Sequence, residues 1–283
     1  MSRERCDYAV VAETGPEDRL SAKGLNVTVP HSARIWNYWL GGKDHFIVDR
    51  TVGEQLREAY PAIVDLARTD RQFLGRAVRY LVAEAGIRQF LDIGSGLPTV
   101  DNTHEVAQRV APESRVVYVD SDAMVLIHAK ALLTSSPEGA TDYIESDFRD
   151  PGAILAAAAA TLDFARPVAV MLLGMLGHFS DDEDVAPLIR RVMAATAPGS
   201  YLVIAHGSST SEGLREAARR YRDSGADPYT LRSPAQLASF FEGLELVPPG
   251  LVPVPQWKPD PARGSLGQEQ EAFSYCAVGR KVS

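Results

Sequence analysis

Two glycines and an acid follow the first short apolar run of the chain, in the segment Asp92-Ile-Gly-Ser-Gly-Leu-Pro-Thr. Gly94 and Gly96 allow positive φ angles and a close approach of the backbone to a bound group. A glycine pair alone is a weak signal, and a tight turn between a strand and a helix accounts for it equally well. Asp92 precedes the pair by two residues, where its charge would repel a pyrophosphate and attract a cationic amine.

Further acids follow the next two apolar runs. Asp120, with Ser121 beside it, lies roughly 24 residues beyond Gly96, near the spacing at which a carboxylate reaches the ribose hydroxyls of a nucleotide. Asp147 and Phe148 place an acid and an aromatic ring side by side after the third run. Ligands of an open parallel sheet bind beyond the carboxyl ends of its strands, so we expect these residues to share one crevice.

The elements that position these residues follow from the pattern of the apolar runs. Short runs alternate with segments long enough for crossover helices, which predicts a Rossmann-like α/β fold with a mostly parallel, doubly wound sheet. Asp122, Asp150 and Asp181 precede the helical segments as caps. Residues 245–254 and 271–280 are expected to close one edge as an antiparallel pair. The predicted parallel strands cover 87–93, 115–120, 141–145, 167–173 and 200–206.

An N-terminal helical cap is expected to precede this sheet. Apolar residues recur at three- and four-residue spacings over 61–85, which predicts a helix with one buried face. We divide the chain into a loosely ordered leader (1–28), the helical cap (29–86) and the cofactor-binding domain (87–283). Acids interleave with four arginines of the predicted helix, so we expect a solvated face at Arg68, Arg71, Arg76 and Arg79.

Composition narrows the class of protein. The 283 residues are 45% hydrophobic and 23% charged, as in ordinary globular proteins. A net charge of −8 has the wrong sign for a nucleic-acid binder. Two cysteines, Cys6 and Cys276, cannot build a disulfide framework, and no apolar stretch reaches the roughly 18 residues of a membrane span. With no secretory signal in view, we expect a cytoplasmic protein without nucleic-acid or membrane partners; the oligomeric state stays open.

Two nucleotide cofactors compete for the predicted crevice. The nicotinamide fingerprint needs a small residue where this chain has Thr99, and its pyrophosphate would face Asp92. S-adenosylmethionine instead combines an ammonium group, a ribose and an adenine without phosphate, which suits the acids better. The expected contacts run from amine to ribose to adenine: Asp92, then Gly94 and Gly96, then Asp120 and Ser121, then Asp147 and Phe148.

These segments resemble those of class I S-adenosylmethionine-dependent methyltransferases. The resemblance is carried by 90–107, 115–122 and 146–151. Together with 33–50 and 240–250, they are similar to a large actinobacterial family of largely unknown substrate. The resemblance implies a Rossmann-like fold with S-adenosylmethionine as cofactor and S-adenosylhomocysteine as product, and it leaves the methyl acceptor open. The chain departs from the family pattern at three positions: Asn37, Trp39 and Phe148.

Two residues are candidates for catalysis. His178 follows the fourth apolar run, beside the expected methyl group, and an imidazole that titrates near neutral pH can act as a general base. An ordinary hydrogen-bonding role is the alternative, since many methyl transfers need only in-line positioning. Tyr38 lies in the polar and aromatic box 34–50, which we interpret as a lid over the cofactor; simple docking of this box on the sheet is the alternative. The histidine spacing predicts no catalytic metal.

The sequence therefore favours an S-adenosylmethionine-dependent methyltransferase that acts on a small-molecule acceptor by in-line transfer. A non-catalytic S-adenosylmethionine-binding regulator stays open, because no clear acid/base constellation is visible. A nicotinamide-dependent oxidoreductase is the third hypothesis, disfavoured by Asp92 and Thr99.

Overall fold

The centre of the molecule is a mixed sheet. The computed structural model describes residues 27–132, 134–260 and 273–283, and within them eight strands pair in the order β3-β2-β1-β4-β5-β8-β6, with β7 also on β8. The strands are β1 (Gln89–Ile93), β2 (Arg115–Asp120), β3 (Ala140–Glu145), β4 (Ala169–Leu173), β5 (Tyr201–Gly207), β6 (Leu244–Leu246), β7 (Val252–Pro253) and β8 (Ser274–Lys281).

The five predicted parallel strands are confirmed as β1 to β5. The runs of β1, β4 and β5 are buried almost throughout, as expected for inner strands of a sheet covered by helices, whereas β3 is the outer strand and is only partly buried. The predicted antiparallel edge is also confirmed, since β8 pairs antiparallel with β5, β6 and β7. Strand order reverses between β1 and β4, which is where open sheets of this kind bind ligands. Residues 271 and 272 of the predicted last strand lie outside the described residues, as do Cys6 and most of the predicted leader.

Helices cover both faces of the sheet and form the N-terminal region. They are α1 (Ser32–Trp39), α2 (Ile47–Ala59), α3 (Ile63–Ala83), α4 (Thr103–Val110), α5 (Ala123–Leu132), α6 (Pro151–Ala158), α7 (Ala186–Ala194), α8 (Glu212–Asp223) and α9 (Pro234–Ser239). No helix of the described residues is both long and apolar enough to cross a membrane.

The predicted helix caps are only partly correct. The carboxylate of Asp150 accepts the backbone N–H of Ala153 and caps α6 as expected. Asp181 does not cap α7, which begins later, after Val185. A carboxylate closer to the helix, that of Asp184, accepts the Ala186 N–H at 3.1 Å instead.

The long helix α3 contributes buried side chains to two separate hydrophobic clusters. Its first turns bury Ile63 and Leu66 in a cluster shared with α1, α2 and α8. Its later turns bury residues such as Phe73 and Leu81 against one face of the sheet. The expectation of a solvated arginine face on this helix is wrong for Arg76, whose guanidinium donates to the carbonyl oxygens of Val254 and Trp257.

Candidate functional site

A cleft of about 580 Å³ opens where β1, β2, β3 and β4 end at one edge of the sheet. Its walls come from the turns after these strands, from α1 and from the middle of α3. A volume of this size suits a nucleoside-sized ligand. The structure brings eight of the nine sequence-predicted residues to this cleft: Asp92, Gly94, Gly96, Asp120, Ser121, Asp147, Phe148 and His178.

The two glycines of the β1 turn both have positive φ, at 71° and 65°. The N–H of Gly94 donates to the carbonyl of Val119 on β2, and a Cβ at Gly94 would overlap the side chain of Met175. At Gly96 a Cβ would meet no atom within 4 Å, because this residue borders the open cleft. The first glycine is therefore required by packing, whereas the second leaves space beside the backbone for a ligand.

Asp120 connects the turns after β1 and β2. Its Oδ2 accepts the N–H of Gly96 at 2.9 Å, and its Oδ1 accepts the N–H of Asp122 at 3.0 Å. A carboxylate has further lone pairs to offer, so these two bonds orient the group without exhausting it. Burial raises the pKa of Asp120 above its usual value, and the two backbone bonds oppose that shift.

Asp92 is an almost fully buried carboxylate at the end of β1, with 4% of its surface exposed. Its Oδ2 accepts the hydroxyl of Thr103 at 2.6 Å. Burial raises the pKa of Asp92 to about 6, although the Thr103 bond and the charge of Arg71 lower it. A group this costly to ionise gains from a cationic ligand beside it.

Arg71 lines the cleft, so the predicted solvated face on α3 is wrong for this residue too. Its guanidinium donates to the Val100 carbonyl at 3.1 and 3.0 Å and to Oδ1 of Asn102 at 3.0 Å. These bonds fix a positive charge near Asp92 and hold the loop that follows Gly96. The spacing of apolar residues did not predict the position of Arg71, because it does not show which turn of α3 lies beside the strand ends.

The turn after β3 carries the predicted acid and aromatic ring. The Phe148 ring is buried and packs edge to face on Phe179, with centroids 6.0 Å apart. Asp147 is exposed and pairs with Arg149 at 3.2 Å. Arg149 also pairs with Glu183 at 2.6 Å and lies over the Phe179 ring, 4.4 Å from its centroid. Sequence reasoning missed Arg149 and Glu183, which line the cleft together.

His178 ends a 3₁₀ turn, Met175–His178, that follows β4. Its ring packs edge to face on Tyr229, with centroids 5.5 Å apart. Burial lowers the pKa of His178 below its usual value, and the charge of Asp227 opposes this shift. The imidazole is therefore neutral at pH 7 and able to accept a proton, but it is a weaker base than a free histidine.

The N-terminal box contributes to the cleft through α1, but not through Tyr38. His31, Trp36 and Asn37 line the cleft. The Tyr38 hydroxyl instead donates to Glu54 on α2 at 3.1 Å, and its ring packs against His45. The helix presents its other face to the cleft, so we assign no catalytic role to Tyr38.

Within the described residues, no group of three or more His, Cys, Asp or Glu side chains is arranged to hold a metal ion. The side chains that line the cleft form a different kind of site. The buried carboxylate of Asp92 lies before the glycine turn, and the Asp120 carboxylate is hydrogen-bonded to the second glycine of that turn. The buried ring of Phe148 lies after β3. This arrangement can bind a cationic amine and hydroxyl groups in one extended ligand.

The chain matches one family model, described as S-adenosyl methyltransferase, over residues 18–282. Two solved structures resemble it closely. A duf574 family protein from Streptomyces avermitilis is 43% identical, with a TM-score of 0.86 over 90% of this chain and 98% of that one. A protein from Thermobifida fusca, proposed to be a methyltransferase, is 40% identical, with a TM-score of 0.84 over 92% of this chain and 98% of that one.

A more distant likeness concerns the fold alone. The plantazolicin methyltransferase BpumL, solved with a triazolic desmethylPZN analogue and S-adenosylhomocysteine, is 12% identical, with a TM-score of 0.51 over 89% of this chain and 96% of that one. The comparison with curated proteins returned no match.

Proposed function

The chain belongs to the S-adenosyl methyltransferase family, and from this premise we propose that it transfers a methyl group from S-adenosylmethionine to a small-molecule acceptor by in-line displacement. Family membership makes S-adenosylmethionine the cofactor and the chain an enzyme. It gives no support to a nicotinamide-dependent oxidoreductase or to a non-catalytic regulator.

One observation carries the assignment of the cofactor site: Asp120 and Gly96 are hydrogen-bonded to each other in the lining of a cleft that Asp92 also lines. The open space beside Gly96 leaves room for a ligand against the backbone. The raised pKa of Asp92 suits an ammonium partner, because a nearby cation would stabilise the ionised carboxylate. The cleft and its side chains therefore fit the chemistry of S-adenosylmethionine.

We assign the contacts by charge and position. Asp92 would hold the methionine ammonium, and Arg71, fixed beside it, would attract the methionine carboxylate. Asp120 would accept the ribose hydroxyls, with Ser121 at the rim. The buried Phe148 ring would pack on the adenine, and Asp147 would accept a hydrogen bond from its amino group.

When bound, S-adenosylmethionine supplies a methyl group on a positively charged sulfur, already activated for displacement. The task of the protein is therefore to orient and to exclude water. The Asp120 bonds and the Arg71 bonds fix the two loops that flank the cleft, and α1 covers it from the N-terminal side. His178 stays a candidate for receiving the proton of the acceptor, since its imidazole is neutral and faces the cleft.

A small molecule is the proposed acceptor because the site is a concave cleft, and a chain with a net charge of −8 does not attract nucleic acid. Radiolabelled methyl transfer to the low-molecular-weight fraction of a cell extract would support this, whereas label confined to protein or nucleic acid would refute it. A cytoplasmic location is part of the same proposal and is tested by cell fractionation.

Calorimetric titration with S-adenosylhomocysteine tests the cofactor site. We expect Asp120→Asn to weaken binding by about 1.5–3 kcal/mol, roughly 10- to 150-fold, the range for hydrogen bonds to a charged group. Asp182→Asn is the matched control, because it removes the same charge from an exposed position outside the cleft lining. Equal affinities in the two variants would move the ribose contact away from Asp120, and no binding by the unmodified chain would end the proposal.

A further inference from the structure

A second, apolar cavity of about 70 Å³ lies beside the cleft. Three residues line both spaces: Ser32, Trp36 and Asp70. The other walls are mainly apolar and come from α1, α2, α3 and α8, with Leu214 and Ala218 on the α8 side. This is about half the volume of a cavity that holds benzene, about 150 Å³, so the space takes part of a ring or a short alkyl group, not a second cofactor. The two spaces are therefore adjacent, with the Asp70 carboxylate in the lining of both.

Asp70 is held in place by one hydrogen bond and keeps one oxygen available. Its Oδ1 accepts the hydroxyl of Ser274 at 2.7 Å, and within the described parts of the chain Oδ2 receives no hydrogen bond. The titratable groups around it are Arg76 on α3, Cys276 on β8 and Tyr229 in the loop after α8. Burial raises the pKa of both the Cys276 thiol and the Tyr229 hydroxyl, so Arg76 is the charged neighbour at neutral pH.

We propose that the apolar cavity binds the apolar end of the methyl acceptor and that Asp70 receives the proton of its nucleophile. The acceptor class is a small molecule in which an apolar group no larger than one ring is next to an O–H or N–H group. The inference rests on the proposed function of the cleft, because the methyl donor must lie on the other side of Asp70.

The step balances in atoms and charge. The acceptor oxygen or nitrogen forms a bond to the methyl carbon while the carbon–sulfur bond breaks, and the electron pair of that bond stays on sulfur. The proton of the acceptor goes to Oδ2 of Asp70. A sulfonium and a carboxylate thus become a neutral thioether and a carboxylic acid.

Asp70 is better suited to this proton than His178. Burial raises the pKa of Asp70 to about 7, with the Ser274 bond and the Arg76 charge opposing, whereas burial lowers the pKa of His178. A general base is most effective when its pKa lies near the working pH. Asp70 also lines both the apolar cavity and the cleft, whereas His178 lines only the cleft.

Binding of simple probes tests the cavity. Phenol, aniline and toluene are titrated into the chain saturated with S-adenosylhomocysteine, with toluene as the probe that lacks a transferable proton. All three are expected to bind, and Ala218→Leu, which fills the cavity, should weaken each by about tenfold or more. Unchanged probe affinity in Ala218→Leu would overturn the inference.

Transfer to phenol or aniline tests the proton acceptor. Asp70→Asn should leave S-adenosylhomocysteine affinity unchanged, lower kcat by about 100-fold or more and remove the rise of kcat/KM through pH 7. Ser274→Ala should move that rise to higher pH, because its hydroxyl stabilises the ionised carboxylate. Asp65→Asn, on the exposed side of the same helix, is the matched control and should change none of these quantities.

The outcomes separate the two proposals. A pH profile that persists in Asp70→Asn overturns the role of this carboxylate. No probe binding or transfer by a chain that binds S-adenosylhomocysteine normally overturns the acceptor class. Failure to bind S-adenosylhomocysteine at all instead overturns the proposed function.

Discussion

Alanine substitutions at two glycines should separate ligand contact from backbone strain. Gly96 and Gly86 have nearly equal positive φ angles, 65° and 70°, and a Cβ at either would meet no atom within 4 Å. Gly96 borders the cleft, whereas Gly86 lies between α3 and β1, outside the cleft lining. The two variants thus carry the same strain but differ in whether the added methyl group enters the proposed ligand site.

The magnitudes follow from this geometry. A left-handed conformation costs a residue with a side chain about 1–2 kcal/mol, so both variants should lose that much free energy of unfolding. Gly94→Ala should lose more, about 2–5 kcal/mol, because its Cβ also overlaps the side chain of Met175. For a chain of this size each kcal/mol lowers Tm by about 2–4 °C.

Denaturant unfolding measures the strain, and calorimetry with S-adenosylhomocysteine measures the contact. We expect Gly86→Ala to bind like the unmodified chain and Gly96→Ala to lose at least about tenfold in affinity, since a methyl group would occupy space that the ligand needs. Equal affinities for Gly86→Ala and Gly96→Ala would refute the placement of the ligand on the β1 turn.

Three further expectations concern buried charge. Without ligand, Asp92→Asn should raise the free energy of unfolding at pH 7 by about 1–3 kcal/mol, and the gain should vanish near pH 4. The reason is that burial raises the pKa of Asp92 from 3.8 to about 6, so the carboxylate destabilises the fold increasingly as the pH rises from about 4 to about 6 and fully above that range. Unfolding curves at several pH values check the sign. Arg71→Lys should weaken S-adenosylhomocysteine binding through loss of its forked hydrogen bonds, while Arg68→Lys, exposed on the same helix, should not; calorimetry on the pair decides. Asp49→Asn removes the charge from a buried ion pair in which Asp49 Oδ2 lies 2.7 Å from Arg34 Nε, and it should lower the free energy of unfolding by about 3–5 kcal/mol. Denaturant unfolding measures this loss, and a value below about 1 kcal/mol would show that the pair does not stabilise the N-terminal helices.

The sheet and the cofactor turns were predictable because their signals are local. The apolar runs of β1, β2, β4 and β5 are mostly buried strands, and Asp92, Gly94 and Asp120 lie in the last residues of their strands or directly after them. The carboxyl ends of parallel strands meet at one edge, so sequence position was enough to bring these residues together. The roles assigned to them stay predictions until binding is measured.

The residues on helices were not predictable in the same way. Asp70 and Arg71 are consecutive on α3, and both line the cleft, yet the periodicity of the helix shows only which face is apolar. Their position depends on how α3 crosses the strand ends, which is a tertiary property. The orientation of Tyr38 was not predictable for the same reason, because adjacent residues of α1 point to different sides: Asn37 lines the cleft, whereas Tyr38 contacts α2.

The continuity of α3 has a consequence for how the protein can be dissected and how it can open. One uninterrupted helix of 21 residues carries Ile63 into the N-terminal cluster and Leu81 into the core of the sheet. A fragment that begins at Ile87 would lack α3, and the apolar sheet face that α3 covers would be exposed to water. We expect this fragment to be insoluble and not to fold independently. Ligand access should therefore depend on movement of α1 and α2 relative to α3, which stays packed on the sheet.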